Sequence, residues 1–146
     1  MSYKDKLITC NDVANFIRIV VKRFRENPLV NLQELSHLGM VLSSIGFIKD
    51  NNALKLLGDL VSDIPDKLRN LITLKYTLVG TVGEVQTTIS QLTLDAINSI
   101  VEALNDLANC FEECNLSSEA LLEIIGRIYE LIVIRLPEIV VTSEQG

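Results

Sequence analysis

Apolar side chains recur at helical spacing between Cys10 and Glu26, near the start of the chain. Six of them fall at positions i, i+3, i+4, i+7, i+8 and i+11: Val13, Phe16, Ile17, Val20, Val21 and Phe24. This spacing puts all six on one face of an α-helix, which can then be buried against other helices. Thr9 or Asn11 can cap the helix at its start, and Pro28 ends it.

Comparable patterns in the rest of the chain predict an all-α fold. Leu, Ile and Val supply 52 of the 146 residues, whereas there are only three prolines and seven glycines, so turns are scarce and long helices are favoured. A chain of this length forms one domain with a sizeable core. We therefore predict a single helical-bundle domain over residues 1–146, with about five to six helices and a short C-terminal tail over residues 137–146.

The second and third helices are separated by the polar sequence KDNN. Asn31 and Glu34 have the spacing of a capping box, which predicts a helix start at Asn31. The third helix is predicted to stop before Pro65, because proline inside a helix removes a hydrogen bond and clashes with the preceding turn. Gly39 and Gly46 each weaken the second helix by about 1 kcal/mol relative to alanine unless a close neighbour requires them.

Residues 66–92 are compatible with two structures. Alternating apolar residues between Ile72 and Leu78 suit a strand, whereas the spacing between Val82 and Leu92 suits a helix. We predict helices with a break near Gly80–Gly83, and a hairpin is the alternative. A lone two-stranded hairpin would be only marginally stable.

The last two predicted helices differ in character. The helix from about Thr93 to Cys114 is amphipathic, whereas the one capped by Ser117, which runs to about Arg135 before Pro137 ends it, is apolar nearly all round. Large wet apolar patches are uncommon on monomers, so this last helix and the tail after it are predicted to take part in self-association. The residues singled out for that contact are Leu131, Ile134, Ile139, Val140 and Val141.

The sequence offers no segment for membrane insertion or secretion. The uncharged stretch Leu35–Ile48 has 14 residues, whereas a spanning helix needs about 20 apolar residues. The start MSYKDKLIT lacks the apolar stretch of a signal peptide. An odd number of cysteines, three, suggests an intracellular protein with reduced thiols.

Charge is distributed unevenly along the chain. Residues 1–27 carry a net charge of +3 and residues 84–146 carry −9, although the whole chain has −6. The basic side chains of the first helix could neutralise phosphates of a nucleic acid, although an ordinary solvated helix face explains them equally well. These side chains are Arg18, Lys22, Arg23 and Arg25.

Cys110 and Cys114 lie four residues apart in the sequence NCFEECN. This spacing in a regular helix is poorly oriented for a disulfide, so the two are interpreted as thiols that pack against the core. Zinc needs four ligands, and the chain could supply them only if the fold gathered Cys10, Cys110, Cys114 and His37. A redox role or a disulfide between subunits is the remaining alternative.

No set of residues points to catalysis, a bound cofactor or a metal. Glu34 and His37 have the spacing of a di-iron ligand pair, but that site needs a second such motif and the chain has one histidine. We interpret His37 as a partly buried histidine with a satisfied hydrogen bond. Four acidic residues on one face of the amphipathic helix could hold a hard cation, but a solvated face is the simpler interpretation. They are Asp95, Glu102, Asp106 and Glu113.

The composition rich in Ile, Leu, Val and Asn, the length and the final helix ALLEIIGRIYELIVIRLPEIVV resemble those of a known family. It comprises the small helical-bundle coat proteins of spindle-shaped and tailed archaeal viruses. The resemblance implies a helical bundle that assembles with copies of itself, located in the virion or the host cytoplasm. The family includes a relative that inhibits the host RNA polymerase by occupying its DNA channel. No functional residue is carried over, because no diagnostic motif accompanies the resemblance.

Two functions are therefore expected of this chain. The first is that of a non-enzymatic, self-assembling structural subunit such as a viral coat protein, whose partners are its own copies and, through the basic first helix, nucleic acid. The alternative is an acidic helical protein that inhibits a host nucleic-acid machine such as RNA polymerase. The acidic last third of the chain favours the alternative, and the apolar last helix favours the structural subunit.

Overall fold

The computed structural model describes residues 9–77 and 83–138, with side chains described for residues 9–73 and 91–138. This part of the chain forms an all-α bundle of five helices without strands, as predicted. A π-helical segment, Glu130–Arg135, follows the last of them directly. The helices are α1 (Cys10–Glu26), α2 (Leu32–Ile48), α3 (Asn52–Thr77), α4 (Gly83–Glu112) and α5 (Ser118–Tyr129).

The helices associate as two pairs joined by α5. A short turn makes α2 and α3 an antiparallel hairpin with the most extensive interface of the bundle, and α1 pairs with α4. Helix α5 packs on both α3 and α4 and so links the two pairs. The apolar faces of all five helices meet in one core, in which Phe24 and Phe111 are the largest fully buried side chains.

Local capping residues define the helix starts. Thr9 and Asp12 form a reciprocal capping box at α1, and Ser117 accepts a hydrogen bond from the backbone N–H of Ala120 at the start of α5. The cap at Ser117 was predicted, and Thr9 is one of the two residues predicted as the cap of α1. The capping box predicted for Asn31 is wrong, because the Asn31 amide instead donates to the backbone oxygens of Arg23 and Asn27. It therefore satisfies carbonyl groups at the end of α1.

Two prolines lie within helical structure, contrary to prediction. Helix α3 continues through Pro65 to Thr77, and helical backbone continues past Pro137 to residue 138. On either side of Pro65, Val61, Ile64 and Leu68 are fully buried. Burying each such side chain contributes about 1.5–3 kcal/mol, which together exceeds the roughly 3 kcal/mol that an interior proline costs.

The ambiguous segment is helical wherever the structure describes it. Helix α3 covers residues 66–77 and α4 begins at Gly83, so the prediction of helices over the hairpin is confirmed for those residues. The predicted break near Gly80–Gly83 falls largely on residues 78–82, which lie outside the described ranges. The helix expected from Thr93 is the later part of α4, which is continuous from Gly83 to Glu112.

Small residues line the seam between α2 and α3, where the two backbones approach closely. A Cβ atom on Gly39 would overlap Ser62 and would lie 2.5 Å from the Gly58 carbonyl oxygen. One on Gly46 would lie 2.6 Å from the Lys55 backbone nitrogen. The close neighbour that would explain glycine in α2 is therefore present. We call this contact the small-residue seam: Gly39, Ser43 and Gly46 in α2, with Gly58, Ser62 and the backbone of Lys55 in α3.

Candidate association surface

The side of α2 that faces away from the small-residue seam is exposed and largely apolar. It carries no formal charge from Leu35 to Ile48, and Phe47 and Met40 are 73% and 60% exposed. Contiguous exposed apolar area on a small protein typically marks a place where another surface binds. We call this area the α2 outer face: His37, Met40, Val41, Ser44, Phe47 and Ile48.

The edges of the α2 outer face are formed by α1 and α3. On one side a groove between α1 and α2 is lined by the exposed Ile19 together with Phe16 and His37. On the other side the Lys55 ammonium lies 5.5 Å from the centre of the Phe47 ring, a cation–π distance. The apolar area thus extends onto α1 as far as Ile19. Charged groups border it on both sides, the Arg23–Glu34 ion pair in the groove and Lys55 on α3.

The last helix also exposes apolar side chains, but only some of them are residues predicted to take part in self-association. Leu122, Tyr129 and Val133 are exposed on it, and Ile134, one of the residues predicted for self-association, is 50% exposed. Leu131 is 4% exposed and belongs to the core, so its predicted availability for association is wrong. Leu131 and Ile132 follow the buried Ile128 at helical spacing and are the buried residues of the π-helical segment. The tail residues Ile139, Val140 and Val141 lie outside the described residues.

The four basic residues predicted to contact nucleic acid do not form one continuous surface on α1. The Arg18 guanidinium lies 2.6 Å from Glu112 and 2.8 Å from Asn109, both on α4. Arg23 pairs at 3.1 Å with Glu34 on α2, on another side of α1. Lys22 and Arg25 are exposed and form no ion pair with another described residue.

A disulfide joins Cys10 to Cys114 and ties the start of α1 to the end of α4. The prediction that these two residues are reduced thiols is therefore wrong. Cys114 lies just beyond α4 with a φ of 53°, and the next backbone N–H bonds back to the Cys110 carbonyl oxygen, which closes the helix end. The sequence did not reveal the pair, since 104 residues separate its members.

Cys110 is a free, half-buried cysteine one turn before Cys114. Burial raises the pKa of its thiol above the ordinary value, and the carboxylates of Glu113, Asp106 and Glu123 raise it further. The thiol is therefore protonated at neutral pH, which makes it a weak nucleophile.

The remaining candidate ligands are placed apart. The prediction that His37 is partly buried is wrong, because its side chain is exposed on the α2 outer face. Among the predicted acidic line on α4, Asp106 pairs at 2.6 Å with Arg127 and Asp95 accepts from Gln91. Within residues 9–73 and 91–138, whose side chains the structure describes, no three His, Cys, Asp or Glu side chains gather where they could hold a metal ion.

Sequence reasoning missed the α2 outer face as a functional candidate. Its uncharged character was visible, but Val41 and Ile48 lie at helical spacing with the buried Leu38 and Ile45, so the sequence pattern alone does not separate them from the core. Only the position of the small-residue seam shows which side of α2 faces outward. The small residues Gly39, Ser43 and Gly46 at i, i+4 and i+7 were the available clue, since small residues at such spacing permit close helix packing.

No helix in the described ranges is both long enough and apolar enough to cross a membrane. Comparisons of the chain with protein-family models, with curated proteins and with solved structures find no match.

Proposed function

We propose that this chain is a non-enzymatic structural subunit that assembles with copies of itself, as a viral coat protein does. The observation that carries the proposal is the presence of two exposed apolar areas on one small bundle, the α2 outer face and the face of the last helix. Burying apolar surface is the main favourable term in protein association.

The positions of the two areas suit repeated assembly. Helices α2 and α5 both pack on α3, and the described contacts between α2 and α5 themselves are at most minor. The two apolar areas therefore face different neighbours. A subunit with two distinct contact areas can join more than one copy, which a closed dimer through a single area cannot do.

Nucleic acid is a second proposed partner, through Lys22 and Arg25. Their charges are exposed and without ion pairs to other described residues, whereas Arg18 and Arg23 already pair with Glu112 and Glu34. Contact between these free charges and phosphates would release counterions and weaken as salt rises.

The test of the assembly is the particle size of the purified full-length chain, measured by sedimentation velocity and electron microscopy. We expect ordered particles much larger than one chain. Tyr129→Asp combined with Met40→Asp should yield monomers with an unchanged helical circular dichroism spectrum, because both positions are exposed. A wild-type chain that stays monomeric at every concentration would refute the proposal.

An acidic inhibitor of a nucleic-acid machine is the second candidate. It is favoured by exposed carboxylates on α4, just after α4 and along the last helix: Glu102, Glu113, Glu119, Glu123 and Glu130. Such a surface could compete with nucleic acid for a basic channel. This function predicts a monomer that inhibits transcription by purified RNA polymerase, with inhibition that added salt relieves.

A further inference from the structure

We infer that two copies of the chain meet through the α2 outer face, with Ser44 of each copy close to a two-fold axis. This inference rests on the proposed self-assembly and assigns one of its contacts. It identifies the occupant of the α2 outer face as the same face of a second copy.

Charge is the first argument for a second copy as the occupant. Each chain carries −6, and two copies repel each other most where their carboxylates approach. The acidic sides of α4 and the last helix are therefore unsuited to meeting themselves. The α2 outer face carries no formal charge from Leu35 to Ile48, so two copies can meet there without bringing like charges together.

The arrangement of side chains on α2 is the second argument. Ser44 lies at the middle of the exposed face, with Met40 and Ile48 one turn away on either side and Val41 and Phe47 three residues away. A small residue at the crossing point lets two helices approach closely, and the larger apolar residues then pack around it. The face is thus complementary to itself under a two-fold rotation, as an isologous contact requires.

The charged end of α2 favours an antiparallel pairing. Lys49 and Asp50 follow directly after the helix and are exposed. A parallel pairing would bring Lys49 against Lys49 and Asp50 against Asp50, whereas an antiparallel pairing separates these like charges.

The area of one helix face is small for a stable interface, since specific interfaces bury about 800 Å² per partner. The exposed Ile19, across the groove from α2, extends the contact.

The central test uses a cysteine at the axis, because a residue on a two-fold axis meets its own copy. In a Cys110→Ser background, Ser44→Cys should form a disulfide-linked dimer on mild oxidation at least tenfold faster than Asn98→Cys. Asn98 is the control, since it is also exposed but lies on α4 in sequence between Asp95 and Glu102. Equal rates for the two variants would overturn the inference.

A second variant pair tests the contact without cross-linking. Met40→Asp adds charge to the α2 outer face, and Leu94→Asp adds the same charge to a similarly exposed apolar position, 51% exposed, on α4. Dimerisation measured by sedimentation should weaken at least tenfold for Met40→Asp and stay unchanged for Leu94→Asp. Added salt should strengthen wild-type association, because it screens the repulsion between two acidic chains.

The outcomes separate this inference from the proposed function. The wild-type chain could form large particles while the Ser44→Cys variant does not cross-link and the Met40→Asp variant assembles normally. The chain would then assemble through another face, and only the inference would be refuted. A wild-type chain that stays monomeric removes both. Circular dichroism of each variant shows whether the helices have formed, so a misfolded variant is recognised and the remaining pair decides.

Discussion

The two helix pairs of the bundle are held together in different ways. Helices α2 and α3 meet along the small-residue seam, where a single added methyl group has no room. Helices α1 and α4 meet through large buried side chains, an ion pair and the Cys10–Cys114 disulfide. The first pair depends on backbone shape, and the second depends on a covalent link and side-chain contacts that can be changed one at a time.

The difference extends to the outer surfaces of the two pairs. Because small residues occupy the seam of α2, its large apolar residues are divided between the core and the outside, and Met40 and Phe47 are exposed. On α4 the exposed side is acidic instead, with Glu102 and Glu112 exposed. The pair with the tight seam thus presents an uncharged surface on a rigidly placed helix, which suits association, and the other pair presents a solvated one.

The largest effect should come from removing the disulfide. Replacing Cys10 and Cys114 with alanine should lower the free energy of unfolding by about 4 kcal/mol, because the link closes a loop of about 100 residues in the unfolded chain. Urea unfolding of the variant and the wild type measures the difference. A loss under about 1 kcal/mol would mean that side-chain packing alone holds α1 on α4.

A glycine variant separates the covalent link from the backbone conformation at the same position. Cys114 has a φ of 53°, which costs a residue with a Cβ atom about 1 kcal/mol relative to glycine. Cys10→Ala with Cys114→Gly should therefore be about 1 kcal/mol more stable than the double alanine variant. Equal stability would show that residue 114 leaves this conformation once the disulfide is absent.

A smaller loss is expected from adding one methyl group to the seam. Gly39→Ala should destabilise the protein by about 2 kcal/mol, because the overlap with Ser62 and Gly58 outweighs the roughly 1 kcal/mol gained in helix propensity. Gly126→Ala in α5 is the matched control, since its Cβ would meet no atom within 4 Å. That variant should become more stable by up to about 1 kcal/mol. If both variants gained stability in urea unfolding, the seam would not be tightly packed.

Local features of the bundle could be predicted from sequence, and distant ones could not. The bounds of α1 and the caps at Thr9 and Ser117 depend on neighbouring residues, and they were found. Helix continuation through Pro65 was missed because burial on both sides of it, a property of the whole fold, outweighs its local cost. The partner of Cys10 was missed because it lies 104 residues away in sequence, and only the whole fold brings the two cysteines together.

The candidate surface shows the same limit. An apolar helix was correctly expected to expose part of its surface, and Ile134 does so. Hydrophobic spacing alone cannot tell a buried stripe from an exposed one when a helix is apolar on several sides. Leu131 was therefore assigned to the surface, although it is buried.

The smallest effect concerns the thiol beside the disulfide in the α1–α4 pair. Burial, and to a lesser extent the carboxylate of Glu113, raises the pKa of the Cys110 thiol. Cys110 should therefore react with an alkylating reagent more slowly than the amino acid cysteine in solution does. Glu113→Gln should shift the pH–rate profile modestly toward lower pH, since Glu113 is exposed and its charge is screened. Glu112→Gln is the control and should leave the profile unchanged, because Glu112 pairs with Arg18 and is not a cause of the shift.

The same raised pKa predicts a pH dependence of stability. In the unfolded chain the Cys110 thiol loses its proton at a lower pH than in the folded one, so its contribution to stability is complete at neutral pH and is lost as the pH rises through the folded pKa. Cys110→Ser should remove this alkaline component of the pH dependence of the free energy of unfolding, measured by urea unfolding across pH.

Because thiolate is the species that attacks disulfides, a protonated Cys110 also protects the nearby Cys10–Cys114 disulfide from exchange. Rapid formation of a Cys110–Cys114 disulfide at neutral pH would contradict that protection, and the α1–α4 pair would then be the less permanent of the two.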